Sequence, residues 1–263
     1  QLQRGFAANI NIAAFSISMK LPFIIYIFSQ IKRKIILKIL LILIVSCCIF
    51  SMILTGSRGA LLSVYSQMFL LLIYFLYTFK SKRFVVFKNI FLPFFVSFMI
   101  AYFTSEILLQ TLSVSYRTEQ IIEKGSKSRM RYYKGAFNSF LNKPLTGVGV
   151  GNWKIFSIEA DKNDIEGYIV PYHAHNDFLQ ILAEIGILGF LSYFFIFIFS
   201  LLKILKNISD DNRMLFVLMF FIVYAVDSNL NFPISRPMIQ IILFSIIAYL
   251  VTYKNNYERT TDK

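Results

Sequence analysis

The sequence predicts an all-α fold, a polytopic transmembrane helix bundle of about seven spans with one large, partly helical external loop. Three observations carry that expectation. Hydrophobic residues make up 57% of the 263 residues, 29 of them Phe, and the mean hydropathy is +0.62, too apolar for a soluble surface. The apolar residues come in blocks close to the ~20 needed to cross a hydrocarbon core. The basic residues cluster at every second gap between blocks, the positive-inside pattern of cytoplasmic loops.

In chain order the blocks predict spans over 6–29, 37–55, 59–79, 84–103, 177–202, 214–230 and 237–253. Basic clusters lie at Lys32, Arg33, Lys34 and Lys38, at Lys80, Lys82, Arg83 and Lys88, at Lys203, Lys206 and Arg213, and in the tail at Lys254, Arg259 and Lys263. Alternation from these loops puts Gln1–Ala8, Thr55–Gly59, Thr104–Asn176 and Asn229–Arg236 outside the cytoplasm. The chain divides accordingly into helices 1–4 (1–103), an external loop (104–176), and helices 5–7 with a cytoplasmic tail (177–263). The net charge of +13 is spent on membrane topology, so nucleic acid is not an expected partner. Cys47 and Cys48 are adjacent inside an apolar span and read as small buried hydrophobes. The chain starts at Gln1 with sequence typical of the middle of a protein, the expectation for a fragment that lacks earlier spans.

The loop between the fourth and fifth spans holds nine basic residues against eight acidic ones, counting Asp177, and the only Trp, Trp153. A connection of this length without structure of its own is uncommon. The spacing of Tyr132, Ala136, Phe137 and Phe140 predicts a helix over Ser128–Leu141, stopped by Pro144.

Several groups suit chemistry at the membrane edge. Arg58, in Thr55-Gly56-Ser57-Arg58-Gly59, fits either a phosphate at headgroup depth or a snorkelling anchor. Arg129 and Arg131 lie on a basic stretch that is either a solvated helix face or half of an anion clamp. Gly147-Val148-Gly149-Val150-Gly151 lacks the Lys-Ser/Thr of a phosphate loop and reads as a turn or a backbone nest. The only histidines, His173 and His175, sit where a span begins, and either can take a proton near neutral pH. Two His at i,i+2 without nearby ligands make a poor zinc site. Asn176, Gln180 and Glu184 are four apart and share one helix stripe, with Glu184 about 12 Å deeper than Asn176. A carboxyl at that depth costs roughly 2.5–3.5 kcal/mol on insertion scales, so it must face protein or water. A buried polar group such as Lys20 would serve as its partner. The turn Asp227–Pro237 either closes a cavity or caps a helix junction.

These pieces together resemble the O-antigen ligase and polymerase superfamily of bacterial membrane glycosyltransferases. His175-Asn176, nine residues, then Gly186-Ile187-Leu188-Gly189 is similar to the family's His-Asn, nine residues, Gly-x-x-Gly pattern. Where that pattern often continues with Thr, this chain has Phe190. Ser57-Arg58-Gly59-Ala60, Arg129 through Ala136, Asn142-Lys143-Pro144-Leu145-Thr146-Gly147-Val148-Gly149 and Asn9-Ile10-Asn11-Ile12-Ala13-Ala14 resemble further family segments in the expected order. The resemblance implies glycan transfer from undecaprenyl pyrophosphate to an acceptor glycolipid or glycan, on the periplasmic side of the bacterial inner membrane, without metal or other cofactor. It implies His175 as the catalytic group and Arg58 and Arg129 on the pyrophosphate, with Arg131 in reserve. It gives Asn176 the imidazole or a sugar hydroxyl to hold, and leaves His173 and Glu184 as further substrate contacts. The acceptor is the lipid A core for a ligase, the next repeat unit for a polymerase, or a protein side chain for a protein O-oligosaccharyltransferase. A lipid-linked oligosaccharide transporter is the reading from another class; neither internal repeats nor paired broken helices are legible in the sequence.

Overall fold

A computed structural model describes residues 9–31, 34–77, 84–112, 118–161 and 171–253. Residues 1–8, the Lys32–Arg33 and Lys80–Arg83 basic positions, Arg117, Lys162 and the tail from 254 lie outside the described residues. The chain forms two compact units, residues 1–118 with 211–227, and residues 119–210 with 228–263.

In the first unit, helix α1 (Ile10–Ser18) is capped by Asn9, whose side chain accepts from Asn11 N at 2.9 Å. Pro22 has no N–H to return to Ser18, so the helix breaks there and resumes as α2 (Leu21–Gln30). Helix α3 (Ile35–Thr55) ends at Gly56, which takes the left-handed conformation (φ 66°) that closes a helix. Helix α4 (Arg58–Tyr77) starts two residues later. A buried polar contact ties α1 to α4: Ser18 Oγ meets Ser63 Oγ, and Gln67 Nε2 donates to Ser18 Oγ at 3.2 Å. A π-helical turn (Phe87–Phe91) leads into α5 (Leu92–Leu112), which packs on α3.

The second unit begins with α6 (Thr118–Asn142), ten residues longer at its start than the pattern around Tyr132 predicts. Helix α7 (Trp153–Asp161), not anticipated from the sequence, buries Trp153 completely. It lies against Ala136, Ala174 and Ala183, with Tyr132 and Leu179 packed beside them. Helix α8 (Asp177–Asn207) follows, then α9 (Arg213–Leu230), whose last turn belongs to this unit, and α10 (Pro237–Thr252).

Among the described residues six helical stretches are long and apolar enough to cross a membrane: Ile10–Gln30, Ile35–Thr55, Arg58–Tyr77, Phe84–Leu108, Asp177–Asn207 and Arg213–Leu230. They match six of the seven expected spans. The seventh, α10, has 16 residues and so rises about 24 Å, short of a ~30 Å core. No described residue is in a strand. Large apolar side chains point outward along the spans, Ile36 at 80% and Leu188 at 64% exposure among them, the surface expected where lipid replaces water.

Hydropathy predicts an uninterrupted fifth span, but α8 is broken at Gly186 (φ 71°, ψ −167°). In an unbroken helix Ala183 O and Glu184 O would accept from the residues four further on. Here they accept from Val148 N at 2.9 Å and Gly149 N at 2.8 Å, while Ile187 N donates to Pro144 O at 2.8 Å. The Pro144–Gly149 loop thus supplies partners to three backbone groups that the break sets free. A Cβ on Gly147 would run into the Glu184 backbone, and one on Gly186 into the Leu145 backbone.

This contact predicts an order of sensitivity. Gly56→Ala, at similar φ but in open space, is expected to lose only the left-handed penalty of about 1–2 kcal/mol. Gly147→Ala and Gly186→Ala add overpacking of about 1–3 kcal/mol to that penalty. Thermal unfolding of the purified variants should show the larger Tm drop for the latter two. Equal drops would mean the loop does not grip the helix.

Candidate active site

The start of α8 organises the site. Asn176 is its N-cap, with Oδ1 accepting from Leu179 N at 3.0 Å and Nδ2 lying 3.5 Å from Asn229 Oδ1. Asp177, fully buried in the first turn, accepts from Ile234 N at 2.9 Å. That bond fixes the turn after α9 against the helix end, and the turn carries Phe232 and Arg236. His175 stands just before the cap at φ 57°, a left-handed conformation that His adopts more readily than branched residues.

The rings then fall into one cluster. His173 stacks on Phe232 with centroids 4.1 Å apart and planes at 16°. His175 meets the same phenyl edge-on at 5.3 Å and stacks on Tyr132 at 6.2 Å. The guanidinium of Arg236, 8% exposed, lies 5.2 Å from the Phe232 centroid. Tyr133, on α6, places its hydroxyl 3.0 Å from Asn229 O and 3.2 Å from His175 O, donating to one at a time. Arg129, half-buried, is one helical turn earlier on α6.

Electrostatics follow from this arrangement. Burial lowers the His175 pKa from 6.5 to about 4, and the positive charge of Arg129, then of His173 and Arg236, pushes the same way. Burial also lowers His173, opposed by a hydrogen bond with Gln180 and reinforced by Arg236. The Tyr133 hydroxyl is raised by burial, against the pull of Arg129. His175 is therefore a neutral imidazole at ordinary pH, and its buried Nδ1 has no hydrogen-bond partner among the described residues.

Deeper on α8, Glu184 finds its hydrogen-bond partners within its own unit. One carboxyl oxygen accepts from Gln180 Nε2 at 3.2 Å and the other from Gly151 N at 2.9 Å. Gln180 Oε1 in turn accepts from Ala174 N at 3.1 Å. The stripe 176, 180, 184 is real, but only its last two members hydrogen-bond to each other through their side chains.

Of the residues singled out from sequence, His173, His175, Asn176, Glu184 and Arg129 meet in this unit. Arg131 lies with its guanidinium 5.9 Å from the Tyr132 ring, and it is the charge of Arg129 that bears on His175. Arg58 is the exposed first residue of α4 in the other unit. Sequence reasoning gave no individual site role to Tyr132, Tyr133, Asp177, Phe232 or Arg236. The last two stood in a turn read as either cavity wall or helix junction; it serves as both.

The sequence profile of the O-antigen ligase family matches residues 41–194, more than half of the chain. The chain belongs to the O-antigen ligase family. Two curated relatives, from Rickettsia conorii and Rickettsia felis, carry the provisional name polysaccharide ligase. The first is 25% identical over 151 residues, 54% of this chain and 36% of the relative. The second is 26% identical over 129 residues, 45% of this chain and 31% of the relative. The chain spans about a third of the length of these relatives. The matched region includes Arg58, Arg129 and both histidines and ends before Phe232 and Arg236.

Two measurements check the electrostatics. In a histidine NMR titration, His175 should titrate near pH 4 and Arg129→Gln should move it upward, because a repelling charge is gone. Since the folded pKa lies below 6.5, the unfolded chain takes up the proton first. His175 should therefore leave stability unaffected above pH 6.5 and erode it as pH falls toward 4. A His175 titration near 6.5 would contradict the buried, cation-flanked placement.

Proposed function

We propose that this O-antigen ligase family member is a metal-independent, inverting glycosyltransferase. It moves a polysaccharide from undecaprenyl pyrophosphate to an acceptor hydroxyl, that of the lipid A core, on the periplasmic face of the bacterial inner membrane. The observation that carries the reading is the neutral His175 imidazole held beside Arg129 and Arg236. The arginine charges that add to burial in keeping the imidazole unprotonated are also those a diphosphate leaving group needs.

In the reaction His175 takes the proton of the acceptor hydroxyl as its oxygen attacks the anomeric carbon from the face opposite the leaving group. The bond between that carbon and the pyrophosphate oxygen breaks, and its electron pair leaves with the lipid pyrophosphate. Arg129 and Arg236 offset the charge that develops there, and a guanidinium fork suits two phosphate oxygens. A bound diphosphate would also draw the His175 pKa upward, so the group is a better base once the donor is in place. Asn176 acts through the helix cap, setting the backbone that presents His175. For Arg58 the support is the Ser-Arg-Gly motif alone.

Deletion should leave lipid-linked polymer and bare core; accumulation of single repeat units would instead identify a polymerase. His175→Ala should abolish transfer with membrane insertion unchanged, and His173→Ala should cost less. Arg58→Lys should also lose most activity, because an ammonium cannot reproduce the fork. In vitro, the kcat/KM profile should hold its acidic side down to about pH 4, the free-enzyme pKa of the base. Full complementation by His175→Ala would end the proposal.

A further inference from the structure

His173 lines a cavity of about 320 Å³ to which the catalytic steps above assign no occupant. Its polar side chains are Lys154, Tyr172, His173, Gln180, Glu184 and Ser235, and three isoleucines supply most of the apolar wall. We propose that this cavity is a saccharide subsite that holds one neutral pyranose ring. The proposal rests on the glycosyl-transfer reading for its biological use, but not for the binding itself.

Size, charge and donor set all point to that ligand. The volume is roughly ten times the share of one water in the liquid, room for a hexose of about a dozen non-hydrogen atoms. One Lys and one Glu line the space and no guanidinium does, so the lining is balanced for a neutral guest. Glu184 is held rigid by Gly151 N and Gln180 Nε2, one bond to each oxygen. A carboxylate has about four acceptor positions, which leaves two for sugar hydroxyls. Lys154 adds donors. Tyr172, 68% exposed, offers an aromatic face to the C–H side of a ring, with a polar tip in water. Glu184 and Gln180 are fixed before any ligand arrives, so little is lost in ordering them.

The placement gives the subsite its role. His173 lines the cavity and stacks on Phe232, whose edge meets His175. A ring seated there lies one aromatic layer from the base. It is either the acceptor sugar that supplies the hydroxyl or the first sugar of the donor.

The test is saturation-transfer NMR on the purified full-length protein with the methyl glycosides of glucose, galactose, mannose and N-acetylglucosamine. At least one glycoside should take up saturation. Lys154→Ala and Tyr172→Ala, both at exposed positions, should weaken its binding by about threefold to tenfold, the worth of one lost contact. The sugar 1-phosphate distinguishes the source. Tighter binding than the methyl glycoside assigns the ring to the donor, whose phosphate reaches the arginines; equal binding assigns it to the acceptor. No saturation of any glycoside, or signals unchanged in both variants, overturns the subsite. His175→Ala should keep the glycoside signal, so loss of transfer and loss of sugar binding are read separately.

Discussion

A broken transmembrane helix is tolerable only when the backbone groups it frees are satisfied again, because the surrounding hydrocarbon offers nothing in exchange. At Gly186 the Pro144–Gly149 loop meets that condition with three main-chain hydrogen bonds. The consequence reaches beyond the break itself. The loop is drawn so close that Gly151 N can reach the Glu184 carboxyl, and Trp153 follows directly, anchored among three alanines. The glycines of the two motifs are therefore two halves of one contact. Gly147 and Gly186 each combine a positive φ with a backbone approach from the other segment that leaves no room for a Cβ.

The histidine cluster applies the same economy to charge. A cationic imidazole buried beside two arginines would be expensive, so the ring stays neutral. A neutral imidazole is what a base must be before the reaction. Phe232 separates the two histidines while giving Arg236 an aromatic face, and Asp177 holds that turn in place through Ile234 N. His173 lines a cavity whose wall holds no guanidinium, whereas Arg129 and Arg236 both bear on His175. That division suits a reaction between a charged leaving group and an uncharged sugar.

The all-α class, the order of spans and the existence of a structured loop were legible in the chain, because lipid imposes a simple length and hydropathy rule. The histidines and Arg129 were legible as candidates, since few residue types do their chemistry. Two parts were not. The break at Gly186 is invisible to hydropathy, because an apolar run reads the same whether straight or interrupted. Arg236 and Phe232 sit some sixty residues from the histidines, and tertiary contacts such as Asp177–Ile234 and Tyr133–Asn229 bring them near.

By itself, then, the amino-acid sequence determined which segments enter the membrane and which side chains can hold a proton or an anion, since both follow from local composition. Tertiary structure alone decided which arginine bears on His175, which partners Glu184 takes, and that a loop completes a helix. Those outcomes depend on hydrogen bonds and distances between residues far apart in the chain, and no local pattern encodes them.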